Sequence, residues 1–100
     1  MKILIQSPHI TISETLTKFV NLKLDKLSRF YARIETAEVF LKIEKSDLAD
    51  DKVCEIRLFI LGNDLFVKKQ GNSFEAAITY AIYALHGEID KVKIRFQHQH

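Results

Sequence analysis

Apolar residues recur along this chain with two different periods, and these periods predict the order β-α-β-β-β-α. After Pro8, apolar residues return every three to four positions, which predicts an amphipathic helix with Ser13 as its N-cap, running to about Phe30. A second stripe at helical spacing predicts a helix from about Phe74 to Lys93. The residues beyond it, 97–100, are expected to be a frayed tail.

Four segments alternate between apolar and polar residues or are short apolar runs, as β-strands do. Pro8 would stop the first of them, and Gly62, Asn63 and Asp64 form a tight turn that predicts a hairpin. An acidic loop is expected at residues 46–51. The predicted strands are Ile3–Ile5, Thr36–Lys45, Val53–Leu61 and Leu65–Gln70.

These elements indicate a two-layer α+β domain, with a four-stranded mixed sheet and both helices packed on one of its faces. The first two strands are joined through a helix, so we expect them to be parallel, whereas the others form antiparallel hairpins. No linker or repeat interrupts the 100 residues, which predicts one domain over residues 1–100.

The composition restricts the function only weakly. Fifteen Lys and Arg against thirteen Asp and Glu give a net charge of +2, so any charge signal depends on where the charges lie. Cys54 is the only cysteine, which excludes an internal disulfide and favours a reducing compartment. With no signal peptide and no membrane-length apolar run, we expect a cytoplasmic protein without a membrane partner.

No catalytic or metal-binding motif is present in the sequence. The four histidines (His9, His86, His98 and His100) lack metal-site spacing, and Cys54 is predicted to face the core as a small hydrophobe. We therefore expect neither an enzyme nor a cofactor, a metal or a small-molecule substrate.

The first helix separates an apolar arc from a group of cations. At about 100° per residue, four of its cations fall within an arc of about 80°, while Lys23 lies inside the apolar arc with its stem over core residues. Only Glu14 and Asp25 oppose them. A solvated helix face would give a similar pattern, but the clustering favours a polyanion partner, nucleic acid first. The four clustered cations are Lys18, Lys26, Arg29 and Arg33.

Two other regions offer alternatives. Further positive charge comes from Lys68, Lys69, Lys91, Lys93 and Arg95, although the helix dipole suffices to explain Lys91 and Lys93. Three phenylalanines (Phe40, Phe59 and Phe66) are predicted to point outward from the sheet among cations, as in proteins that stack single-stranded RNA. Because Glu38, Glu44 and Glu55 share that face, cross-strand packing of the rings is the favoured explanation.

Three segments in order give the chain a family resemblance: ITISETLTKFVNLKLDKLSRFYARI, then AEVFLKIEK, then GNSFEAAI. Together they resemble the ribosome hibernation-promoting factor family in its short, single-domain form. The resemblance covers nearly the whole chain. Long-form members carry an additional C-terminal dimerisation domain, which we expect this chain to lack.

The resemblance implies a non-enzymatic factor, made when growth slows, that binds the small ribosomal subunit over the mRNA and tRNA sites and stops translation. Its contacts would run from basic side chains to rRNA phosphates. Lys23, Lys26 and Arg33 match basic positions of the family, with Lys18 and Arg29 beside them. Five further positions match less tightly: Lys68, Lys69, Lys91, Lys93 and Arg95. Lys23, Lys26, Arg29 and Arg33 are the expected principal phosphate partners.

One departure from the family lies in the second helix, where outward charged residues are usual. This chain has Tyr80, Tyr83, Ala84 and Gly87 there, so two tyrosines are expected to share an exposed patch. The patch could stack on rRNA, contact a protein, or mediate self-association. The alternative functions are therefore a protein-interaction module that forms a homodimer through Tyr80 and Tyr83, and a general binder of double-stranded RNA.

Overall fold

The computed structural model describes residues 1–45 and 50–98, and the side chains of 1–45 and 51–94. Its element order confirms the predicted α+β fold. Residues 46–49, most of the expected acidic loop, and residues 99–100 lie outside the described part. The elements are β1 (Lys2–Gln6), α1 (Glu14–Phe30), β2 (Ile34–Lys45), β3 (Asp50–Ile60), β4 (Leu65–Gly71) and α2 (Phe74–His98).

The four strands form one sheet in the order β1-β2-β3-β4. As expected, β1 and β2 are parallel, with Lys2 opposite Thr36, and the other two pairings are antiparallel. Both helices contact the sheet on the same side, and α1 also contacts α2. One broad face of the sheet is thus covered by the helix layer, and the other, the open face, has no layer over it.

Local hydrogen bonds account for where the helices begin and end. The backbone amide of Leu16 donates to Ser13 Oγ at 3.0 Å, which confirms Ser13 as the N-cap of α1. Ser73 does the same for α2 by accepting from the amide of Ala76 at 3.1 Å. At the other end of α1, Tyr31 leaves the helical conformation while its amide still donates to the Leu27 carbonyl at 2.9 Å.

The core lies between the sheet and the two helices. The apolar residues of each strand alternate into it, and α2 contributes its predicted stripe. Ile43 is the exception. It has the inward parity, but it lies near the end of the long β2–β3 hairpin and is exposed. The largest buried side chains of the core are Leu24, Leu27, Leu41, Ile56, Leu58, Ile78, Leu85 and Ile89.

Two glycines allow the chain to change direction. Gly62, in the predicted turn between β3 and β4, has φ +83°, a conformation that residues with a Cβ rarely adopt. At the end of β4, a Cβ on Gly71 would lie 3.1 Å from the Cβ of Ala76, so a glycine lets the first turn of α2 pack closely against the strand.

Three element boundaries differ by two residues or more from those predicted. β2 begins at Ile34, two residues early, because Ile34 pairs with Ile60 across a bulge. β3 begins at Asp50 rather than at Val53. Asp50 and Asp51, which were expected in the acidic loop, instead pair with Lys45 and Glu44 of β2. α2 continues to His98, so residues 97 and 98 are helical and the expected frayed tail is wrong at these positions.

Candidate RNA-binding surface

The exposed side of α1 carries the first part of the candidate surface. Lys18, Lys26 and Arg29 are all exposed there, as predicted. Lys18 Nζ lies 3.3 Å from Glu14 Oε1, one turn away. Both side chains are largely solvated, and such a pair holds together weakly, so Lys18 can exchange Glu14 for another anion at little cost.

Lys26 and Arg29 form the least neutralised part of α1. Among the described residues, neither is within ion-pair distance of an acid, and the exposed Asp25 pairs with neither. The two side chains are three residues apart and therefore neighbours on the helix surface. Together they present two positive charges with hydrogen-bond donors that are free to engage phosphate oxygens.

Lys23 borders the exposed cations on the flank of α1 that faces α2. It is half-buried, and its Nζ lies 5.4 Å from the centroid of the Phe19 ring, so its ammonium lies beside an apolar ring of the same helix. The same flank carries Phe30, whose ring centroid is 4.6 Å from that of His86 on α2. By helical angle Lys23 and Lys26 therefore border the groove between the two helices.

Arg33 does not lie on α1, contrary to the predicted arc of four cations. The helix ends at Phe30, and Tyr31 has φ −143°, so the helical angles no longer apply beyond it. Arg33 is exposed in the turn before β2, where it lines a shallow depression with Glu35 and Leu61. The helical cluster thus consists of Lys18, Lys26 and Arg29, with Lys23 at its edge.

Two cations of α2, Lys91 and Lys93, are engaged with other groups of the protein. Lys93 is half-buried, with its Nζ 3.6 Å from the Phe30 ring centroid and 3.4 Å from the Phe30 carbonyl oxygen. Lys91 lies 3.3 Å from Glu88. Because α2 continues to His98, neither is in the last turn, and the dipole explanation offered for them is wrong. The side chain of Arg95 lies outside the described part.

Lys68 and Lys69 point to opposite sides of β4. Lys68 lies on the open face, where it donates to Glu44 at 2.8 Å. Lys42 joins the same network, 3.5 Å from Glu44 and 2.7 Å from Glu55. The hydrogen bond from Lys68 lowers the pKa of Glu44, and the bond to Glu55 raises the pKa of Lys42. Four charges of the open face, those of Lys42, Glu44, Glu55 and Lys68, therefore neutralise one another.

The phenylalanines of the open face are not paired with one another. The register places Phe40 opposite Glu55, Phe59 opposite Thr36, and Phe66 opposite Arg57. The expected cross-strand packing is therefore wrong for directly opposite rings, and no ring contact joins these three phenylalanines among the described residues. Phe66 has a cation as its neighbour instead, with the guanidinium carbon of Arg57 5.5 Å from the ring centroid.

The predicted exposed patch on α2 is present. Tyr80 is 54% exposed and Tyr83 is 82% exposed, and Gly87 lies on the same side. Lys69, on the helix side of β4, lines a shallow groove with the two tyrosines and Ala84. The prediction grouped Lys69 with Lys68. Because successive side chains of a strand point to opposite faces, Lys68 and Lys69 should have been assigned to different faces, with Lys69 on the helix side where the two tyrosines lie.

The described residues show no grouping of side chains suited to metal binding. They contain no cluster of three or more histidine, cysteine or acidic side chains able to hold a metal. Cys54 is buried, which raises the pKa of its thiol to about 12 and keeps it protonated. In the described part of the chain, no helix is both long enough and apolar enough to span a membrane.

Comparison with known proteins agrees with the resemblance seen in the sequence. The family model described as sigma 54 modulation protein / S30EA ribosomal protein matches residues 3–97. The chain belongs to this family. A relative in the family is the ribosome hibernation promoting factor of Escherichia coli (strain K12), 30% identical over 93 residues, which are 93% of this chain and 94% of that protein. The Salmonella typhimurium factor of the same name is 29% identical over the same length.

Two solved structures share the fold. A ribosomal subunit interface protein from Coxiella burnetii superposes with a TM-score of 0.85 at 16% identity, covering 94% of this chain and 99% of that one. The N-terminal domain of Thermus thermophilus Protein Y gives a TM-score of 0.73 at 23% identity, covering 92% and 99%. These likenesses show that both solved proteins share the two-layer fold described above.

Proposed function

We propose that this protein is a ribosome hibernation factor that binds the small ribosomal subunit, at rRNA near the mRNA and tRNA sites, and inhibits translation under stress or slow growth. It would act in the cytoplasm as a single domain over residues 1–100. Family membership and the names of its relatives, which are ribosome hibernation promoting factors, support an association with the ribosome.

The observation that carries the proposal is the uneven distribution of charge between the two faces. On the helix side, Lys26 and Arg29 have no ion-pair partner among the described residues, and Lys18 is held only by one solvated acid. On the open face, Lys42 and Lys68 are already bound by Glu44 and Glu55. A polyanion gains most by neutralising free cations, since each phosphate contact releases counterions. The helix side is therefore the side that meets rRNA.

In this proposal the cations of α1 act as phosphate ligands rather than as readers of bases. Arg29 offers a planar fork for phosphate oxygens, while Lys18, Lys23 and Lys26 act as point charges. Arg33 lies beyond the helix end and extends the same surface toward the turn. Contacts of this kind depend on charge and shape rather than base sequence, which suits a ligand that must recognise a folded RNA surface.

The experiment that tests the proposal is co-sedimentation with purified ribosomal subunits on sucrose gradients over a salt series. The variant is Lys26→Glu with Arg29→Glu. The control reverses two exposed lysines on the strands, Lys2→Glu with Lys45→Glu, which gives the same change in net charge. We expect the α1 variant to leave the small-subunit fraction and to lose inhibition in a translation assay, while the control binds like the wild type.

Folding of both variants is checked by circular dichroism and urea denaturation, since all four positions are exposed. Co-sedimentation of the folded α1 variant at the wild-type level would contradict the proposal. Equal losses in both double variants would show that net charge, rather than the surface of α1, governs binding.

A further inference from the structure

The groove between β4 and α2 has features that the phosphate contacts of α1 do not use. Its lining residues are Lys69, Tyr80, Tyr83 and Ala84, and its volume is about 430 Å³. Tyr80 and Tyr83 are three residues apart on α2, which places their rings side by side on the helix surface. Lys69 contributes the only charge among these lining residues, and it is positive.

The two tyrosine rings differ from the other exposed aromatic rings of the described chain. Phe30 lies under the ammonium of Lys93, and Phe66 lies beside the guanidinium of Arg57. No ring or cation contact of the described residues covers Tyr80 or Tyr83. Tyrosine rings exposed to this degree beside a lysine offer a flat stacking surface and a cation at once.

We infer that the groove formed by Lys69, Tyr80 and Tyr83 binds an unpaired nucleotide of single-stranded RNA. The base stacks on a tyrosine ring, and Lys69 contacts a neighbouring phosphate. Stacking of bases on aromatic side chains next to cations is how proteins hold single strands without reading their sequence. This inference deepens the proposed function, because it names a class of rRNA element, a loop or a flipped base, that the helix side would meet.

A second copy of the chain fits the groove less well. The only charged residue that lines the groove is Lys69, so a second copy that brought its own Lys69 to the groove would add a like charge with no lining acid to compensate it. A stable interface usually covers about 800 Å² on each partner, far more than two tyrosine rings and an alanine provide. Charge complementarity therefore favours an anionic occupant that has aromatic rings of its own.

The test uses a fluorescein-labelled oligouridine of about ten nucleotides, a length within the site sizes of single-strand binders. Its binding to the full chain is followed by fluorescence anisotropy over a salt series, with an RNA duplex of equal length as comparison. Tyr83→Leu removes the stacking surface but keeps an apolar side chain, and Tyr83→Phe is the matched control that keeps the ring. Lys69→Gln tests the phosphate contact.

We expect the wild type and Tyr83→Phe to bind the oligouridine alike, and Tyr83→Leu to bind about tenfold more weakly, the usual effect of losing one stacked base. Lys69→Gln should lower the slope of log affinity against log salt by about 0.7. Since Tyr31 is buried, quenching of tyrosine emission on binding reports on Tyr80 and Tyr83 alone.

Three results would overturn the inference: no oligouridine binding by the wild type at low salt, equal binding by Tyr83→Leu and Tyr83→Phe, or a dimer in light scattering that Tyr83→Glu dissociates. The last would identify a second copy as the occupant. A protein that does not bind oligouridine could still co-sediment with ribosomal subunits through α1. Conversely, a protein that does not co-sediment could still bind oligouridine through its tyrosines. The two proposals can therefore be separated.

Discussion

Lys93 is predicted to stabilise the fold rather than to bind RNA, and Lys93→Ala tests this. Its ammonium lies on the Phe30 ring and near the last carbonyl of α1, so it holds the end of α1 against α2. A half-buried cation–π contact is worth about 1 kcal/mol. The positive charge of Lys93 beside the C-terminus of α1 adds about 0.5 kcal/mol. Removing both should lower the free energy of unfolding by about 1.5 kcal/mol.

Lys91→Ala is the matched control for this prediction. It removes the same charge two residues earlier in the same helix, and the ion-pair partner of Lys91 among the described residues is the nearby Glu88, in an exposed pair. Such a pair contributes about 0.3 kcal/mol. In urea denaturation, Lys93→Ala should lower the midpoint by roughly 1 M and leave the m-value unchanged, whereas Lys91→Ala should leave the midpoint almost where it was.

The prediction is refuted if both alanine variants have the same midpoint. It is also refuted if Lys93→Ala keeps its stability but releases the protein from ribosomal subunits at lower salt, because that result would make Lys93 a phosphate ligand. A double-mutant cycle with Phe30→Leu then isolates the contact, since a direct cation–π interaction requires that the two changes together cost less than their sum.

Three smaller predictions follow from burial and capping. Burial raises the pKa of Cys54 to about 12 from the ordinary 9.0, so above about pH 9 the folded protein keeps a proton that the unfolded chain loses. The free energy of unfolding should therefore fall as the pH rises above about 9, and fall less in Cys54→Ala, as measured by urea midpoints across the alkaline range. The Tyr31 hydroxyl is buried without a hydrogen-bond partner among the described residues, so Tyr31→Phe should be neutral or stabilising by up to about 1 kcal/mol in thermal denaturation. Ser13→Ala should lower the free energy of unfolding by about 1 kcal/mol, because it removes the acceptor of the Leu16 amide, and Ser13→Asp should keep the wild-type stability by supplying another acceptor. An alanine variant as stable as the wild type would contradict the capping role.

The sequence pattern predicted the order of helices and strands because caps, turns and apolar periodicity depend on residues that are near one another in the chain. Ser13 caps α1 within one turn, and Gly62 turns the chain between two strands whose apolar residues alternate into the core. The boundaries that were missed depend on partners elsewhere in the chain. β2 starts at Ile34 because Ile60 is there to pair with it, and nothing near Ile34 in the sequence indicates this.

The candidate site was harder to predict, because a cation's availability depends on its neighbours in space. Lys26 and Arg29 could be placed from helical angles alone. Lys93 could not, since the carbonyl it approaches belongs to Phe30, 63 residues earlier in the chain. Arg33 was assigned to the helix because helical angles were continued past the position where Tyr31 ends it.

The self-neutralised open face gives the molecule two chemically unlike sides. The described protein is a flat body of 50 × 28 × 18 Å, with the unpaired Lys26 and Arg29 on one broad side and a network of lysine–glutamate ion pairs on the other. In a narrow cleft with nucleic acid on one wall, only the orientation that turns the helix side toward that wall gains electrostatic energy. The network of lysine–glutamate ion pairs on the open face would thus set the orientation of insertion, because its paired charges offer a facing phosphate surface little attraction.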